Sequence, residues 1–515
     1  VGGVDEVIDL QAGVESGMRI RGGSLDEVAF AVDGMTMRDG RDNVPFTGIS
    51  YTAVDEVQVQ TGGFNAEYGN VRSGLINVVM KEGSRDRYTA DLLMRYSPPQ
   101  RESLGPRVGD FDNYWMRPYL DPVTAFEGTS AWDTYERRQY PTFEGFNSIS
   151  EAFRNDNNAG NDLSPEELQE LFKWYRRKDM TVDRPDYEFD GSFGGPVPAI
   201  GKYLGDLRFM ASLRQTQAAY TIPQSREAYT DRMGQIKLTA NIGNSINVDL
   251  LGMYATQSGL NPNEFGFADI LQGRGDMATR LTGGAETFGT HFWSETDVVR
   301  SMLGLNLTHT LSPSTFYEIR LQRNSSDYDT GPGRHRNREP IKQIGEMALD
   351  EAPYGFDTLV VNDPVGMWLG GNWSVGRDAS WSTSWNGAID ITSQLNRFMQ
   401  IKSGIEGVFT THRSNHRYQH ALFWQGGQNA TFIWKRYPRQ GAAYAQSKFE
   451  FEGIVANVGL RLDYFHAGGS WYAHELYDMG FSAITPPPEE SIAQEPVDPQ
   501  LSLSPRLGVS FPITE

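Results

Sequence analysis

The sequence has no cysteine in its 515 residues, which excludes a disulfide scaffold and thiolate metal sites and leaves the compartment open. No window approaches the run of about eighteen apolar residues that a membrane-spanning helix needs. A β-barrel escapes that test, and the mean hydropathy of −0.50 with it, because its strands need only every second residue apolar. Positive charge is scarce. With 46 Lys and Arg against 66 Asp and Glu the formal net charge is −20, which excludes nucleic acid as a partner, since that binding needs basic stripes to replace phosphate counterions. There is no Gly-x-Ser-x-Gly elbow, no His-Glu-x-x-His and no Gly-rich phosphate loop ending in Lys-Ser/Thr, and the paired acids Glu489-Glu490 lie in a proline-rich stretch. The chain therefore reads as a non-enzyme, with no catalytic residue, cofactor or resident metal expected. What it holds in quantity is glycine (55), tyrosine (23) and tryptophan (11), a bias toward strands, turns and interfacial rings.

The densest pattern runs from Met18 to Gly83. Val28–Val32 and Met35–Met37 are short apolar strands around Asp33-Gly34, a pair suited to the positive-φ positions of a two-residue hairpin. Val54–Gln60 and Leu75–Met80 read as further, partly buried strands. The connection between them, TGGFNAEYGNVRSG, carries Gly62, Gly63, Gly69 and Gly74, which imply tight turns or close backbone approach, with Gly69 and Gly74 expected in tight, largely buried turns.

In the order IRGG, VDGMTM, VDEVQVQTGGFNAEYGNVRSGLINVV and MKEG, this stretch resembles the plug domain of TonB-dependent outer-membrane receptors. The residues that carry the likeness are Arg21, Gly22, Gly23, Asp33, Gly34, Gly62, Gly63, Tyr68, Gly69 and Gly74. Thr61 stands where many siderophore receptors have an arginine, and the LKDASA and YGSRAANG phrases of SusC-like glycan importers are absent, so the substrate class does not transfer. The resemblance implies an all-β protein: an N-terminal plug in the lumen of a transmembrane antiparallel barrel of about 22 strands, the size that admits a plug. It also implies a signal peptide and a TonB-contacting segment upstream of Val1.

The rest of the chain supports a barrel on its own terms. Side chains alternate with period two in twelve segments, 88–96, 187–193, 209–213, 236–242, 246–250, 303–307, 317–321, 385–391, 399–409, 443–451, 454–464 and 501–511. Short links near 243, 313, 395 and 452, with a modest one at 194–206, alternate with long ones at 97–185, 259–296, 328–380, 413–436 and 469–500, broken only by a short link near Gln224. Short periplasmic turns and long outer loops are the habit of outer-membrane barrels. The expected domains are thus a plug at 1–84 and the first part of a barrel at 85–515, with roughly ten strands still to follow Glu515. Leu238, Ile246, Val248, Leu305, Ile319 and Leu460 are expected to face lipid, and Lys237, Asn247, Asn306, Arg320 and Arg461 the lumen.

Within the first long link, Ser164, Pro165 and Glu167 form a capping box ahead of LQELFKWYRRK and predict one surface helix. Asn155 to Glu166 faintly resembles a calcium loop, but Ala159 removes a ligand and the reading preferred is an Asn-rich turn. His412, His416 and His420 have helical metal-site spacing, yet on a strand residues four apart lie about 13 Å apart, so a polar strand end above the bilayer is expected. Ring-bearing loop residues Trp115, Trp132, Trp368, Trp373 and Trp381 are candidates for ligand contact, set against the simpler role of loop cores. Arg21, Asp33, Glu56, Glu67 and Arg72 are candidates for buried ion pairs between plug and wall.

The leading reading is an outer-membrane receptor that binds a scarce substrate and imports it with energy from the inner membrane. Its expected partners are TonB with its energising complex, outer-membrane lipid and lipopolysaccharide, and an unidentified substrate, with room for a surface lipoprotein. The alternatives are a plugged barrel serving as a receptor or assembly component without transport and, more distantly, a soluble β-rich glycan-binding protein.

Overall fold

The computed structural model describes residues 4–99, 110–262, 269–281, 284–288, 292–333, 342–349, 376–418, 430–473 and 493–511, apart from single positions within them, together with Pro106. The first unit is a four-stranded sheet built from β1 (Val28–Val32), β2 (Met35–Thr36), β3 (Val54–Gln60) and β4 (Gly74–Met80), in the order β2-β1-β4-β3. Asp33 and Gly34 both take positive φ, 49° and 75°, as the hairpin requires. The pairing of β1 with β4 is parallel, while β3 with β4 is antiparallel. Phe30, Ile76 and Val78 are almost fully buried in this unit.

Twelve long strands follow: β5 (Thr89–Ser97), β6 (Asp186–Pro196), β7 (Arg208–Ala219), β8 (Ala228–Ile242), β9 (Ile246–Asn261), β10 (Ser294–Ser312), β11 (Thr315–Gly331), β12 (Trp381–Asn396), β13 (Met399–Tyr418), β14 (Arg439–Phe451), β15 (Ile454–His466) and β16 (Gln500–Ser510). Each pairs antiparallel with its neighbours in chain order, and the short strands Gly376–Asp378 and Ala430–Arg436 extend the lines of β12 and β14 along β13. The second of these lies in the stretch expected to be a loop at 413–436, because β13 runs on to Tyr418 and finds a partner there. Among the described residues β5 and β16 do not pair, so the sheet is an open arc. No helix among the described residues is long and apolar enough to cross a membrane.

The two faces of the arc differ in kind. On the outside Leu238, Leu250, Leu305 and Leu321 stand opposite one another across β8 to β11, a belt of leucines with Leu250 and Leu321 38% and 51% exposed. One residue along, the inward row is Lys237, Leu251, Gly304 and Gln322, and the three with longer side chains are buried. A side chain at Gly304 would overlap Met35 of the plug, so this glycine admits the plug to close packing. One core joins plug residues such as Ile20, Phe30, Met37 and Ile76 to Met233, Leu251, Met253 and Met302 of the wall.

The first long link is more ordered than its sequence suggests. The Pro165–Tyr175 helix carries its capping box as read, with Ser164 and Glu167 bonding each other's backbone N–H. It is joined by a helix at Phe146–Arg154 and single turns at Arg117–Leu120, Thr124–Glu127 and Thr134–Arg137, so that the described residues of this link hold five helices where one was expected. The single turns are too short to show amphipathic periodicity, whereas Phe146–Arg154 carries an apolar stripe at Phe146, Ile149 and Phe153 that the sequence reading passed over, and a shared core of Phe143, Phe146, Leu168 and Phe172 gathers the helices at 117–127, 146–154 and 165–175. Phe288 and Ile344, from the next long links, complete that core and bind three links into one cap at the end of the arc opposite the short turns.

Candidate functional site at the plug and barrel wall

The inward face of the arc grips the plug through a ring of polar contacts. On β6, Asp190 is fully buried and accepts from the Ser50 hydroxyl (2.6 Å), the Thr52 hydroxyl (2.7 Å), and the Tyr51 and Thr52 backbone N–H groups (2.7 and 3.4 Å). Ser192, two residues on and on the same face, donates to the Thr52 carbonyl at 3.1 Å. On β8, Lys237 pairs with Asp33 at 3.0 Å, both side chains at least nine-tenths buried. Gln322 and Asn324 of β11 donate to the Thr36 carbonyl at 2.7 and 3.3 Å. Arg320 reaches the Gly34 carbonyl at 3.5 Å and pairs with Asp390.

On the far side of the arc, Lys402 of β13 pairs with Glu67, and Gln446 accepts from the Ala66 N–H at 2.8 Å. Arg461 of β15 donates to the Ala66 and Glu67 carbonyls at 3.2 and 3.1 Å and is itself held by Glu406 and Asp463. The plug segment 38–47 projects toward the long-link end of the wall. There Arg41 pairs with Asp378 at 2.6 Å and lies 3.7 Å over the Tyr328 ring. Asp39 takes the Tyr328 hydroxyl and lies 3.4 Å from Arg300.

Against this geometry the sequence candidates separate. Asp33 and Glu67 bridge to the wall, while among the described residues the other three do not. Arg21 stays within the plug, donating to Thr61 at 3.3 Å, Arg72 is mostly exposed and lies 3.9 Å from Glu27, and Glu56 is exposed on β3. Gly22, Gly34 and Gly63 take positive φ, and a side chain at Gly23 would strike Ser73. Gly62 lies against the Arg21 guanidinium. Gly74 is not in a turn: it opens β4, and the buried Ile20 side chain occupies the space a Cβ would need. Tyr68 sits beside Glu67, and burial first, then that carboxylate, pushes its hydroxyl up to about 12.

At Gly69 an added Cβ would run into the Arg461 guanidinium. Gly69→Ala is expected to weaken plug seating by about 1–3 kcal/mol, because Arg461 is held by four partners and has nowhere to move. Urea titration monitored by protease accessibility of the plug checks this, and an unchanged midpoint counts against the contact.

The inward charges Asp190, Lys402, Asp378 and Arg41 were not singled out in the sequence. For Asp190 and Lys402 the only signal there is a charge on the lumen-facing register of a strand, which does not say what it meets, while Asp378 lies in a stretch read as a loop and Arg41 in a turn of the plug. His412 and His416 do lie on β13 and are buried facing inward, His416 stacked on Phe432, while His420 lies outside the described residues. In the cap, Trp132 packs on Tyr140 with Arg117 4.9 Å over its ring, and Trp115 is half exposed at the edge of the same cluster. Trp381 belongs to strand β12 and not to a loop, and Trp368 and Trp373 lie outside the described residues. Asn155 caps the Phe146–Arg154 helix and Glu166 lies in the first turn of the next, so the calcium-like stretch is spent on helix ends.

An N-terminal domain seated against the polar inner face of an antiparallel sheet with an apolar outer face defines a plugged transmembrane β-barrel. More particularly, this is the fold of the TonB-dependent outer-membrane receptors. The ferric citrate transporter FecA, unliganded, aligns with TM-score 0.53 at 12% identity over 100% of this chain and 58% of its own. FpvA of P. aeruginosa bound to heterologous pyoverdines gives 0.52 at 11% identity, over 100% of this chain and 53% of its own. The open form of the ferric-catecholate import receptor Fiu from E. coli K12 gives 0.52 at 12%, over 100% and 65%. The chain thus spans between about half and two-thirds of the length of these structures. By sequence it is 29% identical to the TonB-dependent transporter Oar of Myxococcus xanthus over 92 residues, 18% of this chain and 9% of that protein. No protein-family model matches.

Proposed function

We propose that this chain supplies the plug and much of the barrel of a TonB-dependent receptor that captures a scarce extracellular solute and imports it across the outer membrane. The observation that supports this reading is the manner of closure. The plug is held by contacts from β6, β8, β11, β13 and β15 together, many of them charged and buried. Each is worth about 1 kcal/mol or more, so parting several at once is a steep barrier for thermal motion. An outer membrane has no ATP, and a plug so held serves transport only if work reaches it from the inner membrane.

The leucine belt meets lipid, and the helical cap with Trp115 and Trp132 offers the surface on which capture begins. The ferric citrate, ferric catecholate and pyoverdine named for the similar structures are the first ligands to assay. Binding and accumulation should be measured separately in intact cells, with and without TonB and with an uncoupler. Surface binding is expected to persist under all conditions, and accumulation to disappear without TonB or the proton gradient. Accumulation that survives both would overturn energised import in favour of a receptor or assembly role.

A further inference from the structure

We propose that the outward face of β12 to β14, at the end away from the short turns, is a docking site for the phosphate headgroup of an outer-leaflet lipid. Beyond Phe409 the outward residues of β13 alternate with the buried His412, Ser414 and His416, and they include Arg413 and Arg417, both exposed. Arg413 stands directly opposite Lys435, and four residues further on Arg417 stands opposite Arg377. Arg439 lies across from Phe409 on the same face. Like charges that face each other across a strand pair destabilise it. A chain with a net charge of −20 has carboxylates to spare for cancelling them. Yet among the described residues no acidic side chain lies within ion-pair distance of Arg413, Arg417, Lys435 or Arg439. Asp327 shares this face, but Trp381 stands between it and Arg413 in the row. The opposed cations call for an anion that the described part of the protein does not supply.

Height and neighbours decide which anion. Arg413 is fourteen residues beyond Met399, the start of β13. At roughly 3.3 Å per residue and a tilt of about 35–45°, that places it about 33–38 Å above the short turns, clear of an apolar band about 25 Å tall. Lys435 shares that row and Arg417 is higher still. Directly below, Trp385, Ile389, Ile405 and Phe409 are exposed on the same face. The Lys435 ammonium lies 5.5 Å from the Trp381 ring centre and 5.3 Å from that of Tyr437, the rings expected where hydrocarbon gives way to headgroups. An acidic protein segment would meet the cations and leave the apolar strip bare. A lipid covers both, its acyl chains on the strip and its phosphate oxygens between guanidinium forks that match them two at a time.

The test uses the full protein in a neutral maltoside detergent, with phosphorylated lipid A, the same lipid A with its phosphates removed, and inorganic phosphate alone, and native mass spectrometry measures what is retained. Saturable retention of phosphorylated lipid A is expected. It should weaken about ten-fold or more on removing the phosphates, or in Arg413→Gln with Lys435→Gln, since each cation near a headgroup contributes a large part of a ten-fold step. Lys202→Gln, at the short-turn end, should leave it unchanged. Equal retention of the two lipid A forms, unchanged affinity in the double variant, or capture of inorganic phosphate as tight as that of the lipid would overturn the site. If the double variant does not fold, the two lipid A forms on the unaltered protein decide. The site rests on the barrel standing in the membrane and not on transport, and flotation with phosphatidylcholine vesicles separates the two: a protein that floats yet treats both forms of lipid A alike keeps its barrel and loses this site.

Discussion

Asp190→Ala is expected to loosen the plug on the β6 side by roughly 3–5 kcal/mol, since removing the carboxylate strands two hydroxyls and two backbone N–H groups in a buried place. The bonds that Asp190 makes are charge-assisted, and all four donors belong to the consecutive plug residues Ser50, Tyr51 and Thr52. Asp190→Asn should be nearly as damaging, because its amide offers donors toward donors and leaves one oxygen for four partners. The reading is local: amide exchange in peptides covering residues 48–60 should accelerate by about 100-fold or more, the kinetic equivalent of such a loss. Exchange around Ala66 and Glu67, held by Lys402, Gln446 and Arg461 on the other side of the arc, should change far less. Equal acceleration everywhere would mean that the substitution unfolds the plug, and none at 48–60 would mean that Asp190 is not its anchor.

Leu305→Arg is expected to destabilise the barrel by about 2–4 kcal/mol, whereas Asn306→Arg, one residue along the same strand, should be mild. Leu305 stands between Leu250 and Leu321 on the outer belt, where a guanidinium would sit in hydrocarbon with no partner. Asn306 points inward opposite Asp249, so a cation there gains a carboxylate neighbour. Unfolding titrations of the two variants in lipid vesicles give the comparison. Similar penalties at both positions would show that the two faces of β10 do not see different solvents.

What was legible in the sequence was whatever is local. Alternation with period two marked all twelve long strands, since a strand bounded by lipid and lumen must place apolar and polar side chains on opposite faces. The hairpin at Asp33-Gly34 and the Ser164 capping box were legible because a few adjacent residues satisfy their own backbone. Order along the chain was enough for topology, as each barrel strand pairs with the next. The single-turn helices of the cap were not, because none is long enough to carry an amphipathic stripe, and the core that gathers the cap is completed by Phe288 and Ile344 from more than a hundred residues away. Gly74 read as a turn because glycine favours turns, yet its reason is Ile20 packed where a Cβ would go.

The grip on the plug was decided by tertiary structure alone. Of five charged plug residues considered, Asp33 and Glu67 alone meet the wall among the described residues, and the buried anchor Asp190 looked like any other lumenal carboxylate. A strand pattern fixes which way a side chain points but not what stands across the lumen, since Asp190 and Thr52 are separated by 138 residues and meet only when the sheet curls around the plug.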